Sequence, residues 1–156
     1  MASRLGSAAH ARTCAAYFGI KYRRPDPWAY GSNPYELRKY ARTLDVANER
    51  PWLRALEIGC GEGAFTAVMA DGAPHRAVVG IDISERAITR ARKRLAGTTT
   101  VRFDVGDAFR ALPAGQFDLV ICAEILYYAG SRIPALARAV AGAVAPGGRL
   151  VLVHPW

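Results

Sequence analysis

Short apolar runs alternate with amphipathic stretches along the part of the chain that follows Pro51. Continuous apolar runs predict buried strands, and apolar positions that recur every three to four residues predict helices. The predicted strands are residues 53–58, 77–81, 99–103, 117–122 and 149–153. Alternation of this kind is typical of an α/β fold. We therefore predict a doubly wound, mainly parallel, Rossmann-like sheet with helices on both faces.

The part of the chain before this sheet divides into two segments of different composition. Residues 1–16 are small, polar and basic without a clear period, which predicts a poorly ordered tail or a frayed helix. Residues 17–50 are rich in aromatic side chains and contain a helix that Asn33 can cap, with Pro34 at its first position. Residues 51–156 then form the predicted sheet domain.

The aromatic side chains of residues 17–50 allow two interpretations. Trp28, Tyr30 and Tyr35 can form a lid that folds across an open cleft and shields it from solvent. The same three rings can instead simply cover the apolar face of the first helix.

Composition narrows the class of protein. The chain has 156 residues, of which 51% are hydrophobic and 22% charged, as expected for one globular domain. A net charge of +8 raises the possibility of nucleic-acid binding, but the arginines are spread along predicted helices, which favours a solvated enzyme surface. No apolar run reaches the roughly 20 residues of a membrane span. The three cysteines are too few for a disulfide framework and lack zinc-site spacing, so we expect a cytoplasmic protein without a metal.

A glycine-rich turn follows the first predicted strand, at the edge of the sheet where such folds bind ligands. Gly59, Gly61 and Gly63 permit a sharp turn and the close approach of a ligand to bare backbone. The helix behind them offers free N–H groups. The loop satisfies a permissive dinucleotide fingerprint, and it is also compatible with a tight turn that binds nothing.

Acidic residues follow the next two predicted strands. Asp82 can accept hydrogen bonds from two ribose hydroxyls, and it is unlike a helix cap because Ser84 already fills that position. An acid at this place disfavours the 2′-phosphate of NADP. Asp107 can accept a hydrogen bond from an adenine amine, with Phe109 near the ring, or it can cap a short helix.

Candidate acid–base groups follow the fourth and fifth predicted strands. Glu124 can bind a cationic ligand or take a proton, or it can cap the following turn. Tyr127 and His154 are further candidates for proton transfer. Structural roles for all three stay open at this point.

Taken together, these segments resemble the class I S-adenosylmethionine-dependent methyltransferases over residues 53–153. The matching segments are LEIGCGEG, GIDIS, GDAF, FDLVICAEILYY and APGGRLVL. Within that class the DPW, YELRKYARTL and AEILYY segments look most like the nodulation protein S group. That group consists of N-methyltransferases that act on an amino sugar of a chitin-type oligosaccharide.

The resemblance implies S-adenosylmethionine as cofactor and a small-molecule or oligosaccharide acceptor, methylated at an amine nitrogen. It places Glu124 near the methyl-transfer site, and we take Glu124 and Tyr127 as the candidate catalytic residues because an amine acceptor needs a nearby acid–base group. The residues that it implies for cofactor binding are Glu57, Gly59, Cys60, Gly61, Gly63, Asp82, Ile83, Asp107, Ala108 and Glu124.

The chain departs from the family in one respect. The family sheet has seven strands and this sequence predicts five, so the last two strands are expected to be missing. The run 149–153 would then be an open apolar edge, which predicts self-association. Two other functions remain open: an NAD-dependent oxidoreductase, and a degenerate or truncated module that binds a cofactor or nucleic acid without catalysis.

Overall fold

The computed structural model describes residues 2–154, and side chains from residue 9 onward. Its helices and strands are α1 (Ala2–Lys21), α2 (Pro34–Asn48), β1 (Arg54–Ile58), α3 (Ala64–Gly72), β2 (Ala77–Asp82), α4 (Glu85–Arg94), β3 (Val101–Val105), β4 (Phe117–Ala123), α5 (Ile133–Ala143) and β5 (Val144–Val153). Short 3₁₀ turns at Leu126–Tyr128 and Gly130–Arg132 connect β4 to α5.

The strands form one sheet of order β3-β2-β1-β4-β5 in which every described pair is parallel. This confirms the predicted α/β sheet. The chain changes direction across the sheet between β1 and β4, and a switch point of this kind opens a crevice at the carboxyl ends of the strands. Ile58 is in register with Ile81 on one side and Cys122 on the other, so β1, β2 and β4 end close together.

Helices cover both faces of the sheet. On one face Leu56 and Ile58 pack in a cluster with Leu136 and Val140 of α5. On the other face Ala55 packs in a cluster with residues of α2 and α3, and α4 adds a neighbouring cluster around Phe103. Alternate residues of β1 thus enter opposite clusters, as the pleat of a strand requires.

For residues 2–16 the structure has a helix, which is one of the two forms that the sequence predicts. Residues 2–16 belong to α1, so the expected boundary at residue 16 falls inside a helix. Alanine is abundant in this segment, and alanine has the highest helix propensity, so a helix forms without a strong amphipathic period. His10 also makes a hydrogen bond of 2.9 Å from Nε2 to the backbone oxygen of Tyr128. The fold of the core therefore contributes to holding α1.

The fifth strand is longer than predicted. Residues 145–148, which precede the predicted strand 149–153, lie within β5. Val144 is in register with Phe117 and Arg149 with Leu119, with a bulge between the two pairs. A bulge lets the strand keep its pairing while it absorbs the extra residues.

Candidate cofactor cleft

A cleft with about 1250 Å³ of empty space opens at the carboxyl ends of β1, β2 and β4. It lies at the switch point of the sheet, where parallel α/β folds bind ligands. Of the predicted site residues, the structure brings these to its wall: Glu57, Gly59, Cys60, Gly61, Asp82, Ile83, Asp107, Ala108, Glu124 and Tyr127. Residues from four separate strand ends thus converge on one space.

Gly63 is the exception among the predicted cofactor residues, because it is not part of the cleft wall. It is the N-cap of α3 with a φ of 72°, in the left-handed region. A Cβ at this position would lie 3.1 Å from both Ala91 Cβ and Phe103 Cζ. The structure therefore gives Gly63 a role in starting α3 and packing it against α4.

Gly59 is the glycine that the cleft itself requires. Its φ is 81°, and a Cβ there would collide with the side chain of Ile125. Its N–H donates to the Ile81 oxygen over 2.8 Å, which fastens the glycine loop to the end of β2. The loop can therefore present bare backbone to a ligand while it keeps a fixed position.

Asp82 joins the glycine loop to the start of α4. Its Oδ2 accepts the Gly61 N–H over 3.0 Å, and its Oδ1 accepts the Ser84 N–H over 2.8 Å. Burial raises the pKa of Asp82 to about 6, although these two N–H groups work in the opposite direction. Ser84 caps α4 as predicted, since its side chain accepts the Ala87 N–H. The Asp82 carboxylate still has lone pairs for hydroxyl donors in the cleft.

Glu57 is a buried acid on the floor of the cleft. Its side chain is 3% exposed, and Thr66 donates a hydrogen bond of 2.5 Å from Oγ1 to Glu57 Oε2. Burial, assisted by the charge on Asp82, raises the pKa of Glu57 to about 8, while the Thr66 hydrogen bond opposes the rise. Without a ligand Glu57 is therefore largely protonated at neutral pH. A cationic ligand would favour its ionised form.

Asp107 both caps a turn and lines the cleft, so the structure is compatible with either predicted role. Its Oδ1 accepts the Phe109 N–H over 3.0 Å, and its Oδ2 pairs with Nη1 of Arg132 over 3.1 Å. The guanidinium of Arg132 lies 4.2 Å from the centroid of the Phe109 ring. Sequence reasoning missed Arg132, because the 25 residues that separate it from Asp107 leave no local signal.

Glu124 stands at the opposite end of the cleft in a left-handed conformation, with a φ of 59°. Its Oε1 pairs with Lys39 Nζ over 2.9 Å, and its Oε2 accepts the Tyr127 hydroxyl over 3.4 Å. Lys39 Nζ also lies 2.6 Å from an oxygen of Glu36. Burial disfavours the charge on Lys39, but hydrogen bonds to both carboxylates outweigh it and raise the pKa of Lys39. Sequence reasoning did not find Glu36 or Lys39.

The two remaining acid–base candidates, Tyr127 and His154, lie in different surroundings. Burial raises the pKa of the Tyr127 hydroxyl, so this group stays protonated at neutral pH and can donate a hydrogen bond. His154 lies outside the cleft, in a neighbouring depression that it shares with Tyr35 and Arg42. Its ring meets Tyr127 edge to face, with 5.7 Å between the centroids.

Aromatic rings from α1 and the following loop form a roof over the cleft. Phe18 packs edge to face on Tyr128 with 4.9 Å between centroids, and Tyr22 packs on Trp28 at 5.3 Å. Trp28 in turn stacks on Tyr30 at 5.5 Å. All five rings line the cleft. Tyr35, the third residue of the predicted lid, does not.

A polar latch joins this roof to the glycine loop. Asp26 donates its N–H to Glu62 Oε2 over 3.0 Å, and Arg90 pairs with Glu62 Oε1 over 2.6 Å. Arg90 also donates to the backbone oxygen of Arg24 over 3.1 Å. These bonds therefore couple any movement of the roof to the loop that lines the cleft.

Two features are absent from the described part of the chain. Within residues 2–154 no group of three or more His, Cys, Asp or Glu side chains is placed to hold a metal ion. In the same range, no helix combines the length and apolar character needed to cross a membrane.

Comparison with known proteins identifies related sequences and folds. Residues 56–150 match the model of a methyltransferase domain family. Nodulation protein S of Rhizobium tropici is 37% identical over 131 residues, covering 81% of this chain and 53% of that protein. The nocamycin O-methyltransferase of Saccharothrix syringae is 39% identical over 120 residues, covering 73% of this chain and 42% of that protein.

A solved structure matches over much of the chain. It is the crystal structure of the N-methyltransferase NodS from Bradyrhizobium japonicum WM9 in complex with S-adenosyl-L-homocysteine. The two superpose with a TM-score of 0.79 and 30% identity, covering 88% of this chain and 71% of that one. The chain spans about half the length of the curated relatives that it matches, for example 53% of the Rhizobium tropici protein.

Proposed function

Because this chain belongs to the class I S-adenosylmethionine-dependent methyltransferases, we propose that its cleft binds S-adenosylmethionine and that the protein methylates an amine nitrogen of a small molecule or saccharide. The observation that carries this proposal is the convergence of Glu57, Asp82 and Asp107 on one cleft. The match to a methyltransferase family argues against an NAD-dependent oxidoreductase.

The charges in the cleft fit the charges of the cofactor. S-adenosylmethionine carries an ammonium, a carboxylate and a sulfonium, and the sulfonium activates the methyl carbon for displacement. Glu57 lines the cleft and in its ionised form would pair with the ammonium, and the N–H groups of the glycine loop would suit the carboxylate. Asp82 would accept the ribose hydroxyls, and Ile83, Asp107 and Ala108 would contact the adenine.

The far end of the cleft suits the acceptor. Glu36, Lys39 and Glu124 together carry one net negative charge when all three are ionised, which favours an amine acceptor. An amine must be neutral when it attacks, and Glu124 would take its proton. Lys39 and the Tyr127 hydroxyl both donate hydrogen bonds to Glu124, and these hold its carboxylate in position.

The roof would contribute by excluding water. A methyl transfer needs the acceptor in line behind the methyl group, and water competes for that position. Phe18, Tyr22 and Trp28 place apolar surface over the cleft. We therefore assign the roof the role of a lid.

Relatives support the reaction class more than the acceptor. NodS from Bradyrhizobium japonicum WM9 is described as an N-methyltransferase, whereas the Saccharothrix syringae relative is an O-methyltransferase. Lys39 lies among acidic side chains, and this negative surrounding charge leads us to favour a nitrogen acceptor atom over an oxygen acceptor atom.

Calorimetric titration with S-adenosyl-L-homocysteine tests cofactor binding. We expect the wild-type chain to bind it, and Asp82→Asn to bind at least about tenfold more weakly, because a charge-assisted acceptor is lost. Asp71→Asn is the matched control, since Asp71 is an exposed acid at the end of α3. Equal affinity of wild type and Asp82→Asn would show that the ribose assignment is wrong.

Transfer of a radiolabelled methyl group tests the acceptor. We expect labelling of D-glucosamine or a deacetylated chitin oligosaccharide, and none of N-acetyl-D-glucosamine, which lacks a free amine. Cofactor binding without transfer to any amine would favour a non-catalytic module instead.

A further inference from the structure

Arg132 is a buried cation in the cleft wall that the proposed chemistry has not used. Only 6% of the residue is exposed, although it precedes α5 at the end of a 3₁₀ turn. Its Nη2 donates to the Tyr128 oxygen over 3.4 Å, and its Nε has no hydrogen-bond acceptor among the described residues. Burying a charged side chain with an unpaired donor is costly, so such an arrangement calls for a compensating role.

The guanidinium of Arg132 touches two residues at once. It pairs with Asp107 through Nη1 at 3.1 Å, and it lies 4.2 Å from the centroid of the Phe109 ring. Asp107 and Phe109 are also joined directly by a hydrogen bond of 3.0 Å. The three residues therefore form one connected unit, which we call the arginine clamp, and all of them line the cleft.

The clamp constrains how Asp107 can meet a ligand. The Asp107 side chain is 10% exposed, so a lone carboxylate there would be poorly solvated. Arg132 places the opposite charge 3.1 Å from Asp107, and an ionised carboxylate can only accept hydrogen bonds. A base that presents an amine to this carboxylate is attracted, whereas a base that presents a carbonyl oxygen is repelled.

We infer that Arg132 is a positioning residue that makes the cleft selective for a 6-amino purine over a 6-oxo purine. This inference rests on the proposed binding of S-adenosylmethionine, and it goes beyond it by assigning base selectivity to a residue outside the cofactor motifs. Arg132 acts through Asp107 and Phe109 and not by direct contact with the ligand, since its own polar atoms are occupied or buried.

The test compares two ligands that differ at this end of the base: S-adenosyl-L-homocysteine has a 6-amino group and a bare N1, whereas S-inosyl-L-homocysteine has a 6-oxo group and an N1–H. We expect the wild-type chain to prefer the amino compound by at least about tenfold, the range for a hydrogen bond exchanged for an unpaired buried group. In Arg132→Met this preference should fall to within about threefold, because Asp107 loses its fixed partner.

Three further variants separate positioning from a general structural effect. Arg138→Met is the matched control, because Arg138 is an exposed arginine on α5, and it should keep the full preference. Asp107→Ala should abolish the preference, and adding Arg132→Met to it should change the preference no further. Arg132→Lys keeps the charge but loses the planar fork, so it should show an intermediate preference, and it serves as the test variant if Arg132→Met does not fold.

Each result has a defined meaning. If Arg132→Met loses affinity equally for both ligands, the preference is unchanged and the inference is overturned. If only Arg132→Lys folds, the same result in that variant overturns it. A wild-type chain that binds both ligands equally also overturns it, while cofactor binding itself stands. A wild-type chain that binds neither ligand overturns the proposed function and this inference together.

Discussion

At the scale of single residues, the acids of the cleft are kept in states that ligand binding would change. Glu57 is surrounded by protein and has Thr66 as its hydrogen-bond donor, so burial dominates its titration. Asp82 is held by two backbone N–H groups, and its pKa of about 6 is closer to the ordinary range. Burial makes ionisation of these acids unfavourable, and a cationic ligand would lower that free-energy cost by pairing with the carboxylates.

Glu57→Gln should make the ligand-free protein more stable at alkaline pH. The folded pKa of about 8 lies above the ordinary 4.5, so the folded protein holds an extra proton between these values. The free energy of unfolding of the wild type should therefore fall as pH rises from about 4.5 to about 8. Glutamine cannot ionise, so thermal denaturation at pH 8 should show Glu57→Gln to be more stable by about 1–3 kcal/mol.

The control for this prediction is Glu49→Gln, an exposed acid after α2 whose loss should leave the pH dependence unchanged. If Glu57→Gln followed the same pH dependence as the wild type, Glu57 would not carry the titration. The same variant should bind S-adenosyl-L-homocysteine poorly, since it cannot form an ion pair with the ammonium.

At the scale of elements, two sets of contacts shape the surroundings of the cleft. The first is at Gly80 of β2, where the missing side chain leaves room for side chains of β3 and the glycine loop. A Cβ at Gly80 would lie 2.8 Å from Phe103 Cδ1 and 2.9 Å from Cys60 Sγ. The roof is the second contact, and it is made by rings from α1 and the loop that follows.

Glycine-to-alanine substitutions should have opposite effects in two elements. Gly80→Ala forces Phe103 and Cys60 apart and should destabilise the fold by about 1–3 kcal/mol. Gly142→Ala has no neighbouring atom within 4 Å and lies in helix α5, so it should stabilise by up to about 1 kcal/mol. Chemical denaturation measures both variants. A Gly80→Ala variant as stable as the wild type would refute the close packing of Phe103 and Cys60 against Gly80.

If the roof acts as a lid, Trp28→Ala should lower the affinity for the cofactor and shorten the lifetime of the complex. Trp28 lines the cleft and stacks on Tyr30, so its loss opens a path for water. We expect S-adenosyl-L-homocysteine to dissociate several-fold faster, because the loss of an aromatic pair costs about 0.5–1.5 kcal/mol. Stopped-flow fluorescence measures this rate.

Tyr35→Ala is the control for the lid, because Tyr35 is 57% exposed and lies outside the cleft wall. Its dissociation rate should match the wild type. Equal rates for both variants would mean that the rings only cover α1 and the neighbouring surface, as in the other interpretation of the sequence.

At the scale of the whole molecule, the sheet has two edges of different character. β3 carries Arg102 and Asp104 as an exposed ion pair, and charges on an edge discourage further pairing. β5 pairs with β4 and with no other described strand, and it exposes Leu150 by 41% and Leu152 by 54%. An apolar open edge of this kind favours association.

We predict that the 156-residue chain self-associates through the β5 edge. Leu152→Lys should shift light scattering at high concentration towards the monomer, because a charge on the edge disfavours pairing. Leu53→Lys is the control, since Leu53 is 69% exposed but lies outside the strands. A wild-type chain that stays monomeric at high concentration would contradict the prediction.

Features that depend on neighbouring residues could be predicted from the sequence alone. The strands, the helix caps at Asn33 and Ser84 and the glycine loop are encoded within a few positions by periodicity and by local hydrogen bonds. The acids at the strand ends followed from them, because parallel strands bring their carboxyl ends to one edge. The sequence by itself therefore determined the fold class and the acids and glycines that the strand ends bring to the cleft.

Only the tertiary structure decided which distant side chains complete the cleft. Lys39 and Glu124 are 85 residues apart, and Arg132 and Asp107 are 25 apart. Gly63 also matched the motif, yet α4 occupies the space beside it and excludes it from the wall. The physical reason is that a crossover places side chains together through the packing of whole helices on the sheet, and no local pattern records that packing.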